Sequence, residues 1–129
     1  MAVRLARLVW LVVSVSAVVG CHHAPPPETN GEMPNGEIAV QVVNHNFADM
    51  VIYLLDNGVR NRLGTAYAAG TGVFFIPWAR VASNGTLRLI ADPIGGTRSA
   101  VTDRLTVRPG SMVVWTIENV LAQSSVGVY

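Results

Sequence analysis

Hydrophobic residues along this chain fall into one long run followed by many short ones. Leu8 to Val19 is a stretch of 12 residues broken only by two serines, too short for a membrane span. From Glu37 onward the texture changes to short runs rich in β-branched residues, separated by turn residues at a spacing near ten. Ile38–Val43 alternates, which puts Ile38, Val40 and Val42 on one face of a strand. Met50–Leu55 is apolar on both faces, as a central strand would be. Asp56-Asn57-Gly58 supplies the positive φ of a tight hairpin, with Val59 to Leu63 as its returning strand. Val73–Ile76 is a further run, closed by Pro77, a residue suited to a strand end or edge.

Ser83-Asn84-Gly85-Thr86 reads as a second hairpin turn feeding a strand from Leu87 to Asp92. Val101–Val107 and Met112–Glu118 read as a strand pair joined by Arg108-Pro109-Gly110-Ser111. Proline at the second position and glycine at the third is the sequence of a type II turn. Val113, Trp115 and Ile117 share a face of the last long strand, Thr116 and Glu118 face water, and Ser124–Tyr129 adds a short edge strand. No segment sustains a helical period. Runs of this length with turns every 8–12 residues predict an all-β fold, an antiparallel β-sandwich of seven to eight short strands over residues 37–129.

Between the long run and the first strand lies HHAPPPETNGEMPNGE, with four prolines and no large aliphatic residue except Met33. Such a segment buries too little surface to offset the entropy of ordering it, so residues 21–36 are expected to form a tether. Pro25-Pro26-Pro27 favours extended polyproline II geometry, at roughly 3.1 Å per residue.

Arg4 and Arg7 precede the long run, and Val18-Val19-Gly20-Cys21 closes it. This is the layout of a secretory signal peptide, and its ending resembles the lipobox of bacterial lipoproteins. The resemblance implies cleavage after residue 20 and acylation of Cys21, with the membrane as a partner through that lipid. One buried acyl chain anchors only marginally at about 0.8 kcal/mol per CH₂, whereas two or three are effectively permanent. In lipoproteins an aspartate after the cysteine often retains the protein at the inner membrane. His22 stands there instead, which favours the outer membrane of the cell envelope.

Two stretches carry a second resemblance. Val51–Thr65 (VIYLLDNGVRNRLGT) resembles the hairpin of small bacterial envelope domains of the PEGA, immunoglobulin-like and transthyretin-like kinds, and Val107–Ile117 (VRPGSMVVWTI) is similar to their closing hairpin. The likeness implies a binding, spacing or assembly module with no shared active site.

Composition narrows the function further. The mean hydropathy of +0.39 is raised by the first 20 residues. The nine basic residues are all arginines, against eight carboxylates. Loss of Arg4 and Arg7 with the signal leaves seven against eight, a balance that argues against a nucleic-acid partner. The single cysteine would be consumed by acylation, so no disulfide can form within the chain. A 93-residue domain buries only about 60–65% of its unfolded surface, and its stability must come from that core.

Chemistry has few places to reside. The globular part holds one histidine, His45, no lysine and no G-x-S-x-G motif, which leaves no expected catalytic residues. Asp49, Asp56, Asp92, Asp103 and Glu118 are the available carboxylates. Asp56 and Asp92 have turn contexts, and Asp103 interrupts an apolar face, which suits an edge position or an arginine partner. His22-His23, and the set His45, Asp49, Met50 and Met112, lack metal-site spacing, so no cofactor or metal is expected. Recognition is the remaining class. Trp78 with Arg80 sits where a strand breaks, and could stack on a sugar ring or a protein partner. The loops Asn44–Asp49, with Asn44, His45 and Asn46, and Gly64–Gly72, with Tyr67, are the candidate specificity loops. The sequence therefore predicts a lipid-anchored, non-catalytic envelope protein acting as an interaction or structural module, with an envelope protein or polymer as its partner. The alternative is a carbohydrate- or small-ligand-binding module using Trp78 and loops.

Overall fold

The computed structural model describes residues 36–129. The signal (1–20), Cys21 and all of the tether except Gly36 lie outside the described residues.

The short apolar runs become nine strands in two sheets: β1 (Ile38–Asn44), β2 (Met50–Asp56), β3 (Val59–Ala66), β4 (Gly70–Ile76), β5 (Thr86–Pro93), β6 (Ala100–Val101), β7 (Leu105–Thr106), β8 (Met112–Ile117) and β9 (Ser125–Val128). One sheet has the order β4-β1-β8-β9. In the other the order is β3-β2-β5-β6, with β7 also paired to β5. Alternation sets the core. Ile38, Val40 and Val42 of β1 and Val113, Trp115 and Ile117 of β8 point inward against Met50, Ile52 and Leu54 of β2 and Leu87 and Leu89 of β5.

Several expectations hold. The β2–β3 turn has Asn57 at φ 47° and Gly58 at φ 82°, the paired positive angles that the Asn-Gly step accommodates. Strand β4 ends at Ile76, just before Pro77. The tail forms edge strand β9 against β8.

Others need correction. The fold is not wholly antiparallel: β1 and β8 run parallel, with Val40 opposite Val113 and Val42 opposite Trp115. Two expected hairpins are crossovers. The Asn84-Gly85 turn links β4 of one sheet to β5 of the other, and Arg108–Ser111 links β7 to β8 across the same gap. Both turns form, with Gly85 at φ 69°, Gly110 at φ 83° and the Ser111 amide donating to the Arg108 carbonyl at 3.0 Å. Turn chemistry dictates that the chain reverses, not which sheet receives it.

The expected strand Val101–Val107 is split into β6 and β7. Thr102 turns inward between them and is 5% exposed. Its hydroxyl accepts the Leu89 amide at 2.9 Å while its own amide donates to the Leu89 carbonyl at 3.0 Å, so a side chain replaces one rung of the ladder. Asp103 is consequently exposed in the break, at an edge. Asp92 is a strand residue rather than a turn residue. It is bound by Arg60 at 2.7 Å and by the Ser99 hydroxyl.

The two outward faces differ. Register places Phe75, Ala39 and Met112, then Val73, Gln41 and Val114, then Thr71, Val43 and Thr116 in rows without a charge. Met112 is therefore a half-buried outward residue. The other sheet turns Arg60, Arg62, Arg88 and Asp92 outward.

Candidate functional site

Strand direction sorts the connections to two ends of the domain. The chain enters at Glu37, beside the 107–111 turn, where the Gly110 amide donates to the Glu37 carbonyl at 3.1 Å. This base also carries the Asn57-Gly58 turn and the Trp78–Gly85 crossover. The β1–β2, β3–β4, β5–β6 and β8–β9 loops all gather at the opposite end, the apex.

The sequence-selected residues divide accordingly. Asn44, His45, Asn46 and Tyr67 come together at the apex, whereas Trp78 and Arg80 lie at the base and belong to a different surface. Trp78 follows Pro77 in a short 3₁₀ turn (Trp78–Arg80) and is half-buried, packed against the core. Arg80 is exposed.

Apex geometry follows from short polar side chains that satisfy loop backbone. Asn44 occupies the next inward position after Ile38, Val40 and Val42 and is fully buried. Its amide donates to the carbonyls of Ala48, Ala66 and Tyr67 at 2.9, 3.0 and 3.1 Å, and its oxygen accepts the Asn46 amide at 2.9 Å. Both ends of that buried side-chain amide are engaged by main chain, so Asn44 positions the loops and does not offer itself to a ligand.

Asn46 reaches the other way. Its amide donates to the Glu118 carbonyl at 3.2 Å and its oxygen accepts the Ala48 amide at 3.0 Å. The Phe47 amide donates to Asn119 Oδ1 at 3.2 Å. Asp49 accepts the Ala68 amide at 2.8 Å through its side chain and the Ile94 amide at 2.8 Å through its carbonyl. The Asn44–Asp49 loop is thus stitched to all three neighbouring loops. Ala69, held by a bond from its amide to the Asn46 carbonyl at 3.2 Å, sits at φ 50°. That angle costs a non-glycine residue about 1–2 kcal/mol, which the surrounding bonds sustain.

What this frame displays is apolar. Phe47 is 88% exposed and Tyr67 69%, and Val120 is also well exposed. Next to Phe47 an open cleft of about 710 Å³ runs between Asn46, Ala48, Pro93, Arg98, Asn119 and Leu121. His45, just before Asn46, has its Nδ1 3.0 Å from Glu118 Oε1, with both side chains substantially exposed. A partner surface can seat an aromatic anchor here, because large rings on a rigid frame contribute contact area at low entropic cost.

Among the described residues no three of His, Asp and Glu converge. His45 and Met112 stand at opposite ends of β8, and Met50 is sealed in the core. Sequence reading missed Asn119, Asp49 as a loop pin and the cleft itself. The signal for Asn44 was available, since a polar residue at an inward position of an alternating strand must be satisfied internally. Compared with known protein families and with curated protein sequences, the chain matches none.

Proposed function

We propose that this protein is a lipid-anchored, non-catalytic module of a bacterial cell envelope that binds an envelope protein through its apex loops. The basic start, the apolar run and Gly20-Cys21 support a cleaved signal and an acylated Cys21, and His22 supports an outer-membrane address. The two-sheet fold and the Val51–Thr65 hairpin support kinship with PEGA, immunoglobulin-like or transthyretin-like envelope domains.

One observation carries the reading: Phe47 is 88% exposed on a loop whose backbone is bonded on every side, at the end opposite Glu37. An exposed aromatic costs solvation, and a preorganised frame is what makes such a residue useful in binding. An anchor attached through residues 21–36 would join the domain at the end opposite this surface and leave the apex free for a partner. The test replaces Phe47 and Tyr67 with serine together. The variant retains the wild-type melting temperature and loses its cross-linked partner in intact envelopes. Retention of the partner refutes the apex as the binding surface.

A further inference from the structure

At the base, three arginines that are far apart in sequence border one cleft of about 410 Å³. Arg80 comes from the Trp78–Arg80 turn, Arg88 from β5, and Arg104 from the break between β6 and β7. Leu54, Leu55 and Leu87 also line it. Arg88 is oriented by the fold. Its Nε donates to the Thr102 carbonyl at 3.2 Å, and Thr102 is itself buried and bonded to Leu89, so the guanidinium is held while its terminal nitrogens are left for another partner. Neither Arg80 nor Arg104 makes a side-chain hydrogen bond or ion pair among the described residues. The ion pairs there are His45–Glu118 and Arg60–Asp92.

The charge around the cleft is unbalanced. Asp56 is its one carboxylate, so three guanidiniums against one acid leave a local excess of two positive charges. Like charges gathered around a concavity repel, and the concavity focuses their field outward, an arrangement that an incoming anion relieves. Guanidinium suits this task, since its planar fork donates two parallel bonds to phosphate or carboxylate oxygens. A dianionic or bridging phosphoryl group matches both the charge excess and the number of donors. The cleft also has the size of a small-molecule site, whose volumes start at about 300 Å³.

We propose that this basal cleft binds a phosphate-bearing anion, with Arg80, Arg88 and Arg104 holding the phosphoryl oxygens. The phosphate belongs to a free phosphate compound or to the headgroup of an anionic lipid. The site lies at the opposite end from the apex loops, so it goes beyond the module reading and stands if that reading fails.

The full chain in non-ionic detergent, titrated calorimetrically with inorganic phosphate and with glycerophosphoglycerol, tests it. The second probe is a phospholipid headgroup without its acyl chains. Saturable binding of at least one probe is expected, weakening as salt is raised. Preference for glycerophosphoglycerol identifies a headgroup site, and preference for inorganic phosphate a free-phosphate site. Arg80→Gln and Arg104→Gln, both exposed, should each weaken binding about tenfold, since a charge-assisted bond contributes that much. Arg98→Gln, at the apex cleft, should leave it unchanged. Absence of saturable binding by either probe overturns the proposal, as does equal binding by the wild type and the Arg80→Gln/Arg104→Gln double variant.

Discussion

The side-chain amide of Asn44, at the end of β1, donates to the main-chain carbonyl of Ala66, at the end of β3, at 3.0 Å. The two residues belong to different sheets, so this bond fastens one sheet to the other where the apex loops begin. Asn44→Ala would take this partner from the buried Ala66 carbonyl and from the part-buried Ala48 carbonyl and Asn46 amide, while the Tyr67 carbonyl keeps the Gly70 amide at 3.1 Å. Destabilisation of about 3 kcal/mol is expected by urea denaturation, since each buried group left without a partner costs about 1–3 kcal/mol. The apex amides of Asn46, Ala68 and Ala69 should also exchange faster with solvent. A loss below about 1 kcal/mol would show that the loops hold without this side chain.

Thr102 supports the opposite flank. Its hydroxyl completes the ladder where the expected strand Val101–Val107 breaks. Thr102→Val keeps the shape and removes the acceptor, leaving the buried Leu89 amide unbonded, at a cost of about 1–3 kcal/mol. Thr102→Ser retains the acceptor and should cost distinctly less. Chemical denaturation of the pair separates the hydrogen bond from the packing.

Strands, and the turns at Asn57-Gly58 and Pro109-Gly110, were legible in the sequence because their signals are local: alternation, β-branching and a residue that tolerates positive φ. Which strands pair was not. Nothing near Asn84-Gly85 or Arg108–Ser111 records that the chain changes sheets there, and the parallel pairing of β1 with β8 joins residues about seventy positions apart. The Asn44–Asp49 loop was legible from its Asn and Asp content, but the expected Gly64–Gly72 loop was not one. Gly64–Ala66 extend β3 and Gly70–Gly72 open β4, because glycines there make room for the Phe74 ring, and only residues 67–69 turn the chain. The basal cleft was not, because Arg80, Arg88 and Arg104 meet only through the tertiary fold.

Phe74 closes the flank where β3 and β4 face each other. Its ring lies over Gly72 of its own strand and against Gly64 of the opposing sheet, where any Cβ would overlap ring atoms. Gly64→Ala should destabilise by about 1–3 kcal/mol through overpacking. Phe74→Leu in that background should recover part of the loss, and a double-mutant cycle measures the coupling. Strict additivity would show that the ring and Gly64 do not interact.

The anchor is tested chemically. Cys21→Ser should abolish incorporation of labelled fatty acid and leave the chain unprocessed at residue 20. Labelling that persists in this variant would refute acylation at Cys21.

The most direct test of the central claim is site-specific photo-cross-linking in intact envelopes, with the reactive side chain at position 47 and, as a comparison, at position 62 on the outward sheet face. Binding through the apex predicts a discrete, saturable protein adduct from position 47 and none from position 62. Lipid or scattered abundant proteins from position 47, or the same adducts from both positions, would contradict it.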